Sequence, residues 1–162
     1  GEDITNIVFM GMGEPLDNLN AVRAAIDILT DPLAFAIAPR HITVSTVGPS
    51  AKRIRECADL RAAIAWSLHA ADEKLRRRLI PTARETPVEL RDAFADVLKA
   101  RRRVLFVEVT LIQGINDRDV DAHAMVELLQ PIRDRTRINL LSMNHGIEKL
   151  AGTADERVRA IS

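Results

Sequence analysis

The sequence has 162 residues, enough for one domain with a hydrophobic core, and 47% of them are apolar. Its 23 Lys and Arg residues balance its 23 Asp and Glu residues, so the overall charge gives no electrostatic reason to expect nucleic acid. The only cysteine is Cys57, which excludes a disulfide framework or a multi-cysteine zinc site. No apolar run approaches the ~20 residues that span a bilayer, so we expect no membrane partner, and the single cysteine fits a reducing, cytoplasmic setting.

The chain alternates between stretches typical of strands and stretches typical of helices. Apolar and β-branched runs predict five strands, at 7–10, 42–46, 63–69, 104–112 and 138–141. Apolar residues at helical spacing predict helices from 19 to 29, through 54 and 60, from 72 to 79, from 86 to 98, from 125 to 132 and near 156–159. Asn18 is available as the first N-cap, and Thr86-Pro87-Val88-Glu89 is a capping box.

This alternation predicts the α/β class, with a parallel sheet and right-handed crossovers. In a (β/α) barrel or an open α/β sheet, ligands bind at the carboxyl ends of the strands. The residues that end the predicted strands are polar or glycine: Gly13-Glu14, Ser45-Thr46, Ser67 and His69, Gln113 to Asn116, and Asn144. We therefore expect these residues to converge on one face around a shared hollow.

The first strand ends in a glycine turn that suits a small ligand. Gly11 and Gly13 let the backbone turn sharply and leave no Cβ in the way of a ligand. Glu14 follows them, and its carboxylate could hold an ammonium group. The alternative is a tight strand-to-helix turn with an exposed acid, since short glycine motifs match by chance.

Ser67 and His69 are two residues apart, so on a strand they point to the same face. No Gly-x-Ser-x-Gly elbow or orienting acid accompanies them, which favours ligand binding over nucleophilic catalysis, with polar core packing as the remaining alternative. The arginine runs 76–78 and 101–103 are interpreted as solvated helix faces, with RNA contact as the alternative. Cys57 is interpreted as a small buried helix residue.

Several linked motifs occur in the order found in one enzyme family. They are Gly11-Met12-Gly13-Glu14-Pro15-Leu16 with Asn18, Arg40 to Gly48, Ser67-Leu68-His69-Ala70 with Leu79-Ile80-Pro81 and Arg84, Leu111 to Asp117, and Ile138-Asn139-Leu140 with Asn144. From about residue 4 to residue 144 the chain resembles the radical S-adenosylmethionine (SAM) enzymes. The branch it resembles methylates C2 of an adenine in 23S ribosomal RNA and in some tRNAs, and is related to the C8 resistance methyltransferases.

The resemblance implies a partial parallel (β/α) barrel of six strands, of which the five predicted here are strands two to six. It implies SAM and a [4Fe-4S] cluster as cofactors. Gly13 and Glu14 would receive the amino group of SAM. Ser45, the segment Ser67-Leu68-His69 and Asn144 would hold its carboxylate, ribose and adenine, and these residue types suit such groups.

The sequence also departs from the family. The Cys-x3-Cys-x2-Cys loop that holds the cluster and the second catalytic cysteine are not among its residues, so we predict no catalytic residue and no metal ligand within 1–162. We expect residues 1–162 to be the core fragment of a longer enzyme, without its first strand, N-terminal accessory domain and C-terminal segment. The fragment alone should be inactive.

The resemblance further implies an RNA substrate, an electron donor for the cluster and a monomer. Two alternatives stay open. One is another radical SAM enzyme with a different substrate, because a SAM cradle says little about what else enters the barrel. The other is a non-catalytic module that keeps affinity for SAM or RNA. A barrel lyase of the Schiff-base type is disfavoured because no lysine ends a predicted strand.

Overall fold

A computed structural model of the chain describes residues 4–144 and 150–161. The strands within them are β1 (Ile7–Phe9), β2 (Ile42–Thr46), β3 (Ala63–Ser67), β4 (Leu105–Leu111) and β5 (Thr136–Ser142). The α-helices are α1 (Leu19–Thr30), α2 (Ala51–Arg55), α3 (Glu73–Leu79), α4 (Pro87–Ala100), α5 (Asp119–Leu129) and α6 (Asp155–Ile161). Short 3-10 helices lie at Pro15–Asn18, Pro39–His41 and Gln130–Arg135. In this part of the chain, no helix is both long and apolar enough to cross a membrane.

The strands form one sheet in the order β1-β2-β3-β4-β5, and each neighbouring pair is parallel. Sequential order without a reversal is the arrangement of a (β/α) barrel wall, whereas a doubly wound sheet reverses its order at a switch point. Helices connect successive strands, as a parallel sheet requires. The structure therefore confirms the α/β fold with five parallel strands.

Side chains that alternate along each strand divide the sheet into two faces. Along β4, Leu105, Val107, Val109 and Leu111 are buried in the hydrophobic core under the helices. The side chains between them, which include Glu108 and Thr110, are half-buried. Trp66 of β3 packs on Phe94 of α4 with ring centroids 5.0 Å apart, which fixes the helix layer to the sheet. We call the side that carries Glu108 and Thr110 the open face.

Of the two helix caps predicted at Asn18 and Thr86, one forms and the other does not. The capping box of α4 is confirmed, since the Glu89 N–H donates to Thr86 Oγ1 and the Thr86 N–H donates to Glu89 Oε2. The Asn18 cap does not form. A 3-10 turn begins before α1, and the Glu14 side chain accepts from the Leu16 N–H at the start of that turn instead.

The prediction that both arginine runs are solvated is wrong for one residue in each. Arg76 is 1% exposed and Arg101 is 9% exposed. Arg101 donates to the carbonyls of Cys57 (3.0 Å) and Ala62. Buried carbonyls outside regular ladders need a donor, and a long guanidinium side chain can supply several N–H groups from one position.

Candidate ligand-binding site

The carboxylate of Glu14 fastens the turn after β1 to the tip of β2. Its Oε1 accepts from the Leu16 N–H (3.0 Å) and from Thr46 Oγ1 (2.7 Å), and its Oε2 accepts from the Val47 N–H (2.9 Å). An ionised carboxylate offers about four lone-pair sites. Three are used here, so Glu14 keeps an acceptor site on Oε2 that could receive one N–H of an ammonium group.

The side chains of Ser45 and Ser67 meet across β2 and β3. Their hydroxyl oxygens are 3.2 Å apart, within hydrogen-bond distance. Ser45 is 8% exposed and Ser67 is half-buried. Each hydroxyl has one proton and two acceptor sites, so the pair can both donate to and accept from a ligand above it. The structure thus brings together two of the predicted site residues.

His69 lies just beyond β3 and not within it. The strand ends at Ser67, and His69 has a φ of 59°, in the left-handed region that residues other than glycine rarely adopt. The predicted strand at 63–69 is therefore two residues too long, and Ser67 and His69 do not share a strand face. The N–H groups of Leu68 and His69 both donate to the Glu108 carbonyl, which turns the chain away from the ladder.

The imidazole of His69 has a fixed orientation. Its Nδ1 accepts from the Thr110 N–H (3.1 Å), which leaves Nε2 as the ring nitrogen that carries the proton. The Asn116 amide donates to the His69 carbonyl (2.8 Å) and anchors the same residue from its backbone. Burial, and then the charge of Arg76, lower the pKa of His69 below its ordinary value. His69 is therefore neutral at neutral pH and presents an N–H donor.

The remaining predicted site residues are placed less tightly. A Cβ on Gly13 would meet no atom within 4 Å, so the space beside it is open. Leu68 is fully buried, its N–H donates to the Glu108 carbonyl, and its carbonyl accepts from the Ala70 N–H. Asn144 follows β5, is exposed, and makes no hydrogen bond to any residue that the structure describes.

Arg76 is a site residue that the sequence did not indicate. Its guanidinium donates to the Val47 carbonyl, while the Val47 N–H donates to Glu14. Nε and Nη1 of Arg76 are buried without a hydrogen-bond partner among the described residues, and burial lowers the pKa of the guanidinium to about 10. Helical spacing alone cannot mark one arginine of three as buried, because the tip of β2 that receives it lies 29 residues away.

A surface hollow of about 430 Å³ opens beside Glu14. Its other walls include Asp17, Val47, Arg53 and Arg84. Thr46 faces the helices, and Glu14 contacts its side chain, so this hollow lies on the helix side of the β2 tip, whereas Ser45 points to the open face. The structure therefore places Glu14 and the serine pair on opposite sides of β2, so the expectation that the predicted residues converge on one face around a shared hollow is not met for Glu14.

A metal ion or an iron-sulfur cluster needs several ligating side chains close together. Among residues 4–144 and 150–161, no group of three or more His, Cys, Asp and Glu side chains could hold a metal ion. Cys57 is 1% exposed, its Sγ–H donates to the Arg53 carbonyl, and burial raises the pKa of its thiol to about 12. A cluster ligand must be an accessible thiolate, so Cys57 does not fit that role.

Comparison with known protein families identifies the superfamily of this chain. The family model described as the radical SAM superfamily matches residues 1–126. The chain belongs to the radical SAM superfamily. Its members use SAM together with a [4Fe-4S] cluster, so this radical SAM chain is homologous to enzymes that use both cofactors.

Curated relatives of this radical SAM chain are RNA methyltransferases by name. It is 44% identical over 147 residues to the dual-specificity RNA methyltransferase RlmN of Methylorubrum extorquens, which covers 89% of this chain and 34% of that protein. It is 40% identical over 164 residues to RlmN 1 of Myxococcus xanthus, covering 99% of this chain and 45% of that protein. The chain thus spans about a third to under half of the length of these relatives.

Solved structures agree with the assignment. A radical SAM methyltransferase from Sphaerobacter thermophilus superposes with a TM-score of 0.89 at 33% identity, over 98% of this chain and 47% of that one. A domain of pyruvate-formate lyase-activating enzyme from Bacteroides vulgatus superposes with a TM-score of 0.72 at 20% identity, over 98% of this chain and 91% of that one. At this identity, the second likeness shows a shared fold alone.

Proposed function

We propose that residues 1–162 are the SAM-binding core of a longer radical SAM enzyme that methylates an adenine in ribosomal RNA, with tRNA as a second substrate. The names of the relatives, ribosomal RNA and dual-specificity RNA methyltransferases, support the substrate class. The observation that carries the proposal is the meeting of Ser45 and Ser67 at 3.2 Å. These residues are 22 apart in the sequence and come together at the strand tips, where a (β/α) fold binds its ligand.

The residues around the tips match the chemical groups of SAM. SAM presents an ammonium, a carboxylate, two ribose hydroxyls and an adenine edge. Glu14 has one free acceptor site for the ammonium at the tip of β2, and the serine pair on the open face can donate to a carboxylate or exchange hydrogen bonds with hydroxyls, so SAM would extend across that tip. His69 offers an N–H donor in a fixed orientation. When bound in the whole enzyme, SAM supplies the transferable methyl group, and this chain positions it.

The proposal also covers features of the whole protein. The thiolates of the [4Fe-4S] cluster come from outside these residues, because Cys57 does not fit. The enzyme takes electrons from a separate donor and acts as a monomer in the cytoplasm. The target adenine is unstacked from its RNA before it reaches the strand tips, since chemistry on a base requires access to its ring.

The proposal is tested by titrating the isotope-labelled chain with SAM and following its amide signals by NMR. We expect weak binding, because part of the cradle normally comes from the cluster, with shifts centred on the Glu14 turn and on Ser45 and Ser67. Ser67→Ala should weaken binding roughly three- to tenfold, the equivalent of one lost hydrogen bond.

The matched control is Thr136→Ala. Thr136 Oγ1 donates to the Ile132 carbonyl at the amino end of β5, the opposite end of the sheet. This variant should bind SAM as the unmodified chain does. SAM that shifts no signal at the strand tips, or that binds the two variants equally, would contradict the proposed cradle.

A further inference from the structure

A row of polar side chains crosses the open face, from the carboxyl ends of β2 and β3 to the middle of β4 and β5. The register pairs Ser67 of β3 with Glu108 of β4, and Glu108 with Asn139 of β5. Paired residues of parallel neighbours face the same side. Ser45 extends the row to β2 through its contact with Ser67. Four strands thus contribute one polar residue each, and we call this set the polar row.

Glu108 is the charged member of the polar row, and most of its hydrogen-bonding capacity is unused. Asn139 Nδ2 donates to Glu108 Oε2 at 2.9 Å, the one hydrogen bond made by this carboxylate among the described residues. Within residues 4–144 and 150–161, Oε1 has no hydrogen-bond partner, and no Lys, Arg or His forms an ion pair with Glu108. The side chain is half-buried, so a ligand on the open face can reach it.

The bond to Asn139 alone does not explain a carboxylate at this position. A neutral amide or hydroxyl could link β4 to β5 equally well, because strands in a parallel sheet are already joined by their backbone ladder. A half-buried carboxylate with unused acceptor sites can accept hydrogen bonds from a ligand that reaches the open face. The same bond orients Asn139 with Nδ2 toward Glu108, which leaves Oδ1 as a second free acceptor.

We propose that Glu108 and Asn139 bind the hydrogen-bond donors of a nucleoside, namely its ribose hydroxyls or its exocyclic amine. Carboxylates bind ribose hydroxyls in other nucleotide sites, and the amide of Asn is suited to an adenine edge. The polar row places these acceptors next to Ser67, so one ligand can contact both. This inference rests on the proposed function, which brings two nucleosides to this face: that of SAM and the target adenosine.

The experiment compares Glu108→Gln with Glu127→Gln. Glu127 is an exposed acid of α5 that makes no contact with the polar row. The Glu108→Gln substitution keeps the size of the side chain and an acceptor for Asn139 but removes the charge. Each labelled chain is titrated with SAM, and adenosine is then added to the SAM-saturated chain. The Trp66 indole signal reports whether the core is intact.

We expect Glu108→Gln to weaken binding of one nucleoside about tenfold, since a charged acceptor is replaced by a neutral one. Weaker SAM binding assigns the polar row to the cofactor's nucleoside, and weaker adenosine binding alone assigns it to the substrate's. Equal affinities of the two variants for both ligands overturn the inference, even if SAM still shifts Ser45 and Ser67. If neither ligand binds the unmodified chain, both the inference and the proposed function fail.

Discussion

Arg76 shows how one residue can organise a strand tip. Its guanidinium is 1% exposed, carries no paired carboxylate among the described residues, and donates to the Val47 carbonyl. Glu14 accepts from the N–H of the same valine. The cation of Arg76 therefore binds the carbonyl of Val47, and the anion of Glu14 binds its N–H. Together they fix the tip of β2, beside the free acceptor site of Glu14. Nε and Nη1 of Arg76 are left without partners among the described residues, so the buried cation stays costly, and burial lowers its pKa to about 10.

Replacing Arg76 should change the titration of His69. Burial and the Arg76 charge both lower the pKa of His69, so removing the charge in Arg76→Met should raise this pKa part of the way toward its ordinary value. Because the folded pKa lies below the unfolded one, the free energy of unfolding falls as the pH drops through this window. In Arg76→Met the folded and unfolded pKa values of His69 lie closer together, so the free energy of unfolding should fall over a narrower pH range than in the unmodified chain. The His69 ring signals in NMR measure both pKa values.

Two variants separate the charge effect from general damage. Arg78→Met removes an exposed arginine of the same helix, and the pKa of His69 should not move. Arg76→Lys keeps a positive charge near the same place, and the pKa should stay low. A His69 pKa that is unchanged in Arg76→Met would mean that the charge does not reach the imidazole.

At the scale of elements, the ends of strands and helices decide where the site residues stand. β3 stops at Ser67 because Leu68 and His69 both donate to the Glu108 carbonyl and leave the ladder. The imidazole of His69 then accepts a hydrogen bond from the Thr110 N–H. Asn116, which is 5% exposed, accepts from the Ile112 N–H and donates to the carbonyls of His69 and Thr110. The loop after β4 thus locks the loop after β3.

The cap of α4 gives a test of element stability. Thr86→Ala removes the side chain that accepts from the Glu89 N–H, which should cost about 1 kcal/mol. For a chain of this size that is a fall of about 2–4 °C in Tm. Thr82→Ala is the matched control, because Thr82 is exposed and caps no helix. Equal Tm values for the two variants would show that the capping box contributes nothing measurable.

At the scale of the whole molecule, one hydrophobic core between the sheet and the helices supports everything on the open face. Cys57 lies in that core, 1% exposed, in the turn that follows α2, so its predicted burial is confirmed but its predicted place within a helix is wrong. Arg101 donates to its carbonyl from the end of α4 and so joins two crossovers. The thiol can react only when this packing opens, which makes Cys57 a reporter of global unfolding.

We expect the folded chain to react with a disulfide reagent at pH 8 more slowly than the denatured chain, by roughly a thousandfold or more, because Cys57 is 1% exposed and the reagent must wait for the core to open. Burial also raises the thiol pKa from 9.0 to about 12, which predicts that the free energy of unfolding falls as the pH rises above about 9, where only the unfolded thiol ionises. Absorbance of the released thiol measures the rate. Equal rates for the folded and denatured chains would place Cys57 outside the core.

The sequence by itself determined the order of strands and helices, the capping box of α4, the burial of Cys57 and the radical SAM assignment. These follow from periodicity, local hydrogen bonding and motif spacing, which act over a few residues or survive as fixed patterns. The proximity of Ser45 and Ser67 could also be predicted from the sequence, because the carboxyl ends of parallel strands lie at the same edge of the sheet.

Only the tertiary structure decided which polar residues are paired and which are free. The Glu14 carboxylate, the Arg76 guanidinium and the Glu108–Asn139 pair each depend on partners 29 to 33 residues away in the sequence. Such contacts are set by strand register and by where each strand ends. A charged residue looks the same in a sequence whether its partner is water, a backbone carbonyl or a ligand, because the difference lies in its surroundings and not in its type.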